Sequence, residues 1–230
     1  MTAPAASFAT SQLRAAIVDL DGTMVDTLGD FMAVLGVTLA DLGLPAVRRG
    51  FVARTIGQGT EHLLRSVLGE VMATDDAARI EAVLPQALAR YTAHYPALNG
   101  RHAEVFPGVA EGLQRLRARG WPLVCLTNKP TAFAEQLLAA KGLRGHFAQV
   151  FGGDAFARKK PDPLPLLKAC EALGMPPAAT LMIGDSRNDA QAARSAGCPV
   201  VLVTYGYNHG EPVRAVDADG WIDRLDELPL

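Results

Sequence analysis

Four short segments of this chain gather side chains able to do polar chemistry. Asp19-Leu20-Asp21-Gly22-Thr23 sets two carboxylates at i and i+2 ahead of a Gly-Thr turn, and Thr127-Asn128 joins a hydroxyl to an amide. Lys160-Pro161 offers a cation, and Gly184-Asp185-Ser186-Arg187-Asn188-Asp189 adds two more carboxylates. Two carboxylates about 5 Å apart repel by roughly 3 kcal/mol at an effective dielectric of about 20. Three or four together, with Lys160 as the only cation expected nearby, would not all stay ionised. A hard divalent cation relieves the repulsion, and a donor set of oxygens without His or Cys points to Mg²⁺. Mg²⁺ keeps several waters and takes a substrate phosphate as a further ligand. A spare carboxylate can then attack phosphorus, and a neighbouring acid can protonate the leaving group and later activate water. Lys160 and Thr127 would hold the phosphoryl oxygens where charge develops.

These segments need a frame that brings them to one place. Arg14-Ala-Ala-Ile-Val-Asp19-Leu is a short apolar run that ends in polar residues and reads as a buried parallel strand. Similar runs recur at Trp121–Thr127, Ala179–Gly184 and Pro199–Thr204, with a weaker one at Gln149–Gly152. Helical patterns separate them: Val109–Arg119, Thr131–Lys141, Pro163–Leu173 and Asp189–Ala196, each followed by glycine. The alternation predicts an α/β fold with an open, Rossmann-like parallel sheet. Such sheets bind ligands beyond the carboxyl ends of their strands, where the four segments fall. From Thr27 to Pro96 only helical periodicity is found: Leu28, Phe31, Met32, Leu35, Leu39 and Leu42, then Leu63, Leu64, Val67, Leu68 and Val71, then Ile80, Val83, Leu84, Leu88 and Tyr91. This predicts an inserted helical domain over 27–96, with 1–26 and 97–230 forming the core and 1–13 a disordered lead-in.

Composition excludes several classes. Among 230 residues, 22 Lys+Arg face 24 Asp+Glu, and neither sign forms a block suited to nucleic acid or a membrane surface. No apolar run reaches the roughly 18 residues that a spanning helix needs. The first fourteen residues lack the basic and apolar regions of a secretory signal. Three cysteines, Cys125, Cys170 and Cys198, lie far apart among apolar residues and read as reduced thiols of a cytoplasmic protein. A small phosphorylated substrate is the partner expected, with the chain a monomer or homodimer.

The four segments, in this order, resemble the motifs of haloacid dehalogenase-like phosphatases from about Arg14 to Leu230. The resemblance implies Asp19 as nucleophile and Asp21 as general acid/base. It implies metal ligation by the Asp19 carboxylate, the Asp21 backbone carbonyl and Asp185. Asp189 would support the metal's waters or orient Lys160, with Asn128, Gly22 and Thr23 in support, and the helical insert resembles the family's cap, which closes over the site. Further stretches, Val25-Asp26-Thr27, Thr55-Ile56-Gly57-Gln58-Gly59, Thr127–Pro130, Arg158–Pro163 and Tyr205–Gly210, resemble the family's bacterial phosphoglycolate phosphatases, which implies 2-phosphoglycolate as substrate. Met24 and Gln58 depart from the usual Leu and Asn.

The loop Arg54-Thr55-Ile56-Gly57-Gln58-Gly59 precedes a helix, so its free N–H groups could read the carboxylate end of such a substrate; a plain interhelical turn is the equal alternative. Asp26 reads as a hinge or helix cap. Competing functions are a phosphosugar phosphatase or mutase, which needs a cap that shields an aspartyl phosphate from water, and a metal-free dehalogenase, which the Asp21-Gly22-Thr23 turn argues against. From a different class comes a receiver-type phospho-accepting signalling domain, which distributes its acids differently and has no helical insert.

Overall fold

The computed structural model describes residues 10–229. Its strands are β1 (Ala15–Val18), β2 (Val25–Asp26), β3 (Glu104–Val105), β4 (Leu123–Leu126), β5 (Gln149–Phe151), β6 (Thr180–Gly184), β7 (Val200–Val203) and β8 (Gly220–Ile222). Six of them form one parallel sheet in the order β5-β4-β1-β6-β7-β8. Helices α5 (Val109–Ala118) and α6 (Thr131–Ala140) cover one face, and α7 (Leu164–Leu173) and α8 (Arg187–Ala196) cover the other.

The central strands are apolar on both sides because both faces are covered. Ala16 and Val18 point to the layer of Leu113, Leu116 and Leu137, while Ile17 between them points to Leu166, Ala169 and Ala193. Truncating Ile17 to Ala would cost on the order of 2–5 kcal/mol. Alanines at 190, 192, 193 and 196 are buried along α8 and keep that helix close to the sheet. The αL glycines Gly174 and Gly197 end α7 and α8 as expected.

Four helices lie between β2 and β3: α1 (Leu28–Asp41), α2 (Arg49–Thr55), α3 (Thr60–Val71) and α4 (Ala77–Leu98). They share a cluster of their own that includes Phe31, Leu35, Leu64, Leu68, Leu84 and Tyr91. The buried face of α4 is Leu84, Ala87, Tyr91 and Tyr95, while Ile80, Val83 and Leu88 are only partly buried. The antiparallel β2–β3 pair joins these helices to the sheet. Asp30, wholly buried near the start of α1, accepts from the N–H groups of Gly100 (2.6 Å) and His102 (2.7 Å) and so ties the incoming chain to the outgoing one.

Several expectations need correction. Helix α4 runs on to Leu98, so a boundary at 96/97 cuts through a helix; the β2–β3 ribbon and β8 were too short to show as periodic runs. Helix α8 begins at Arg187, because Ser186 caps it and Asp189 serves as the return half of a capping box. Of the expected disordered lead-in, 1–9 lie outside the described residues. Residues Thr10–Gln12 form a 3-10 turn, and Leu13 is buried in the core with Arg14 N–H bonded to Ala179 O (2.8 Å).

Candidate active site

The loops after β1, β4 and β6 and the segment before α7 meet at the carboxyl edge of the sheet. Asp19 leaves β1 with its Oδ1 accepting from Leu20 N–H (2.7 Å) and lying 3.0 Å from Lys160 Nζ. Both contacts use Oδ1, which leaves Oδ2 as the oxygen with free lone pairs. Gly22 follows with φ +85°, and a Cβ there would overlap the Asp185 carboxylate, as would one at Gly206. These glycines bring backbone hard against Asp185. Its Oδ1 accepts from Thr23 Oγ1 (3.1 Å) and its Oδ2 from Tyr207 N–H (2.7 Å).

Lys160 is 3% exposed, so its charge needs compensation inside the protein. Its ammonium donates to Leu126 O (2.9 Å) and Asp189 Oδ1 (2.7 Å) and pairs with Asp19. Burial pulls this ammonium's pKa down, but Asp189 and then Asp19 outweigh burial and leave it above the usual lysine value. The other oxygen of Asp189 accepts from Ser186 N–H (3.1 Å), Ser186 Oγ (2.9 Å) and Asp185 N–H (3.2 Å). Asp189 therefore spends both oxygens on protein donors and fixes the position of Lys160. Asn128 knits the edge together, with Oδ1 accepting from Lys160 N–H (3.0 Å) and Nδ2 donating to Lys160 O (2.9 Å). Thr127 Oγ1 accepts from Lys129 N–H (3.3 Å), so its own hydrogen is left to donate.

One oxygen from each of Asp19, Asp185 and Asp189 falls within 4.8 Å of the others, and all three residues are buried. Burial pushes the Asp19 carboxyl up to about 7; Lys160 opposes this and Asp189 adds to it. Burial likewise drives the Asp185 carboxyl well above the carboxylate range, helped by Asp189 and Asp19. Lys160 alone does not offset this much negative charge. The Asp21 carboxylate stands apart from the trio, because Lys129 Nζ holds it at 2.8 and 3.1 Å. Lys160 is thus not the only cation near the acids. Lys129 is 5% exposed, and its ammonium also lies over the rings of Phe31 (4.6 Å) and Tyr95 (5.2 Å).

Above Asp19 and Asp21 sits a cavity of about 30 Å³, bounded by Thr127, Asn128 and Lys129 from the sheet and by Phe31, Ile56, Gly57, Gly59, Tyr91 and Tyr95 from the helical layer. The loop 56–59 lies against the sheet edge. Gly57 O accepts from Asn128 Nδ2 (2.9 Å) and Asn188 Nδ2 (3.3 Å), and Gln58 O accepts from Lys159 Nζ (2.7 Å). Gly57 and Gly59 border the cavity, whereas Arg54 and Gln58 do not. Arg54 is exposed, with its stem over Gly210. Asp26 Oδ1 accepts from Leu28 N–H (3.1 Å) and Tyr207 O–H (2.6 Å), a cap at the start of α1.

A family model for haloacid dehalogenase-like hydrolases matches residues 13–197. The chain belongs to the haloacid dehalogenase-like hydrolase family. Relatives of nearly equal length include the phosphoglycolate phosphatase of Thiobacillus denitrificans, 43% identical over 95% of each chain. The plasmid-borne phosphoglycolate phosphatase of Cupriavidus necator is 44% identical over 94% of this chain and 91% of its own. Among solved structures, a predicted phosphoglycolate phosphatase from Haemophilus somnus superposes with a TM-score of 0.87 at 31% identity, covering 94% of this chain and 96% of the other.

In this haloacid dehalogenase-like hydrolase the donor set fits a hard metal ion. The trio is buried, supplies only oxygen, and carries more negative charge than Lys160 balances. Asp19 has Oδ2 turned to no protein donor and each Asp185 oxygen accepts one hydrogen bond, whereas Asp189 Oδ2 accepts three and its Oδ1 is held by Lys160. Three residues in contact with the cavity were not legible as site residues: Lys129, Tyr91 and Tyr95. Lys129 stood within the stretch Thr127–Pro130 that carried the resemblance, with no role of its own attached to it. Tyr91 matched a helical core stripe, and Tyr95 one turn later carried no signal at all.

Proposed function

We propose that this hydrolase is a Mg²⁺-dependent phosphatase that hydrolyses 2-phosphoglycolate, or a phosphorylated acid of like size, to the free acid and phosphate. The observation that carries this reading is the cavity. It joins Asp19 and Asp21 to a buried lysine within a space of about 30 Å³. A cavity bounded in this way by two carboxylates, a buried lysine and the helical layer suits a small anionic substrate. The two named relatives act on phosphoglycolate by their descriptions, which supports the same choice.

In the reaction, Asp19 Oδ2 attacks phosphorus and the bond from phosphorus to the leaving oxygen breaks. Asp21 gives that oxygen its proton, which leaves an aspartyl phosphate on Asp19. Asp21 then takes a proton from water, whose oxygen attacks phosphorus and restores the Asp19 carboxylate. Asp19, Asp185 and the Asp21 backbone carbonyl would hold Mg²⁺, which supplies positive charge to the phosphoryl oxygens. Thr127 donates to a phosphoryl oxygen, and Lys160 offsets the charge of Asp19. The helices 28–98 act as a cap, with Gly57 and Gln58 carbonyls as its latch to Asn128, Asn188 and Lys159. The reduced cysteines fit a cytoplasmic setting.

A screen of small phosphomonoesters with Mg²⁺ tests the proposal. 2-Phosphoglycolate should give the highest kcat/KM; a hexose phosphate preferred tenfold or more would overturn it.

A further inference from the structure

Tyr91 and Tyr95 are 1% exposed, lie one helical turn apart on α4, and border the cavity that faces Asp19 and Asp21. Their rings lie tilted against each other at 5.1 Å between centroids, and Tyr95 stacks on Phe133 at 4.4 Å. The rings are fully used in packing, but neither hydroxyl has a hydrogen-bond partner among the described residues. A buried phenol without a partner is costly, and sites where this persists are often ligand sites. Burial drives both phenols well above their ordinary pKa, so each keeps its proton and can only gain by donating or accepting a hydrogen bond. Phenylalanine would fill the same space without that cost.

The surroundings select the partner. Lys129 Nζ lies over the Tyr95 ring, and the first turn of α3, from Gly59 and Thr60, opens on the same cavity. Two O–H donors, an ammonium and the N–H groups of a helix start together form a site for an anion, not for a sugar hydroxyl. The Gly57 and Gln58 carbonyls are turned away to Asn128, Asn188 and Lys159.

The geometry points to Tyr91 and Tyr95 as the residues that read the carboxylate at the non-phosphate end of the substrate, each hydroxyl donating to it beside Lys129. This rests on the proposal that the substrate is a small phosphorylated acid. The two hydroxyls give preference for substrates with an anionic tail, beside a lysine that also holds the Asp21 carboxylate.

The test uses Tyr91→Phe, Tyr95→Phe and the double variant of the full chain. Two kinds of ligand are compared. One pair is substrates, 2-phosphoglycolate and ethyl phosphate. The other is inert inhibitors, 3-phosphonopropionate and propylphosphonate, which differ in the same way. Losing a hydrogen bond to a charged group is worth about 10- to 100-fold. Each single variant should therefore weaken 3-phosphonopropionate, and lower kcat/KM for 2-phosphoglycolate, by about that factor relative to the carboxylate-free compound. The Tm of the variants should equal or exceed that of the wild type. Variants that keep the wild-type discrimination overturn the tyrosine assignment while leaving the substrate reading intact. Equal loss on both members of each pair, with a lowered Tm, gives the hydroxyls a structural part and also overturns it. A wild type that does not discriminate between the members of a pair overturns it through the substrate reading on which it rests.

Discussion

Removing the metal should make folding stability fall as pH rises toward neutrality. The Asp19 carboxyl has a pKa of 3.8 when unfolded and is pushed up to about 7 in the fold, chiefly by burial. Between those values the folded protein holds a proton that the unfolded chain has released, so folding stability falls as pH rises through the window and is lowest above it. The span of about three pH units, at about 1.4 kcal/mol each, amounts to ~4 kcal/mol. Asp185 is shifted in the same direction by the same cause. About two of those units lie between pH 5 and pH 7, so at roughly 2–4 °C per kcal/mol for a chain of this size the metal-free protein should lose on the order of 5–10 °C in Tm between about pH 5 and pH 8. A bound cation removes the reason for the loss, and a ligand at 100 times its Kd adds about 2.7 kcal/mol. With Mg²⁺ the profile should therefore flatten, and stabilisation by Mg²⁺ should be larger at pH 8 than at pH 5. The assay is thermal unfolding followed by fluorescence of Trp121, buried in the core, and Trp221, in EDTA and in Mg²⁺. A Tm in EDTA that stays level or rises from pH 5 to pH 8 would refute the account of an uncompensated acidic cluster.

Asp19→Asn should abolish turnover, by about 10³-fold or more for a lost nucleophile, and should remove most of the pH slope in EDTA; retained turnover would sink the nucleophile assignment. Lys129→Met leaves the Asp21 carboxylate buried without its 2.8 Å partner, which should cost about 3–5 kcal/mol of stability as read by urea unfolding above pH 6. Gly57→Val and Gly59→Val place side chains where φ is +108° and +91°, the latter with its Cβ 2.8 Å from Lys159 Nζ. As a disturbed latch they should lower kcat/KM on 2-phosphoglycolate and on an aryl phosphate alike. A loss confined to 2-phosphoglycolate would return the role of carboxylate reader to the loop.

The sequence by itself determined the sheet and the acidic edge. Runs such as Ala15–Val18 and Val200–Val203 are apolar throughout because both faces are covered, and the glycines after the helices declare where each ends. Asp19, Asp21, Asp185 and Lys160 stood out because charged groups just past buried strands, or ahead of a helix, recur in one order along the chain with no apolar role to explain them. Tertiary structure alone decided which partners those charges take. Asp189 joins the trio in space yet gives its oxygens to Lys160, Ser186 and Asp185, and Asp21 turns to Lys129, 108 residues along the chain. The two tyrosines show the same limit from the other side. On an amphipathic helix an aromatic residue that fills a core and one that fills it while offering a hydroxyl to a ligand have one periodicity. Only the meeting of α4 with the sheet edge left those hydroxyls without partners, because a hydrogen bond is decided by what stands within 3 Å and not by spacing along the chain.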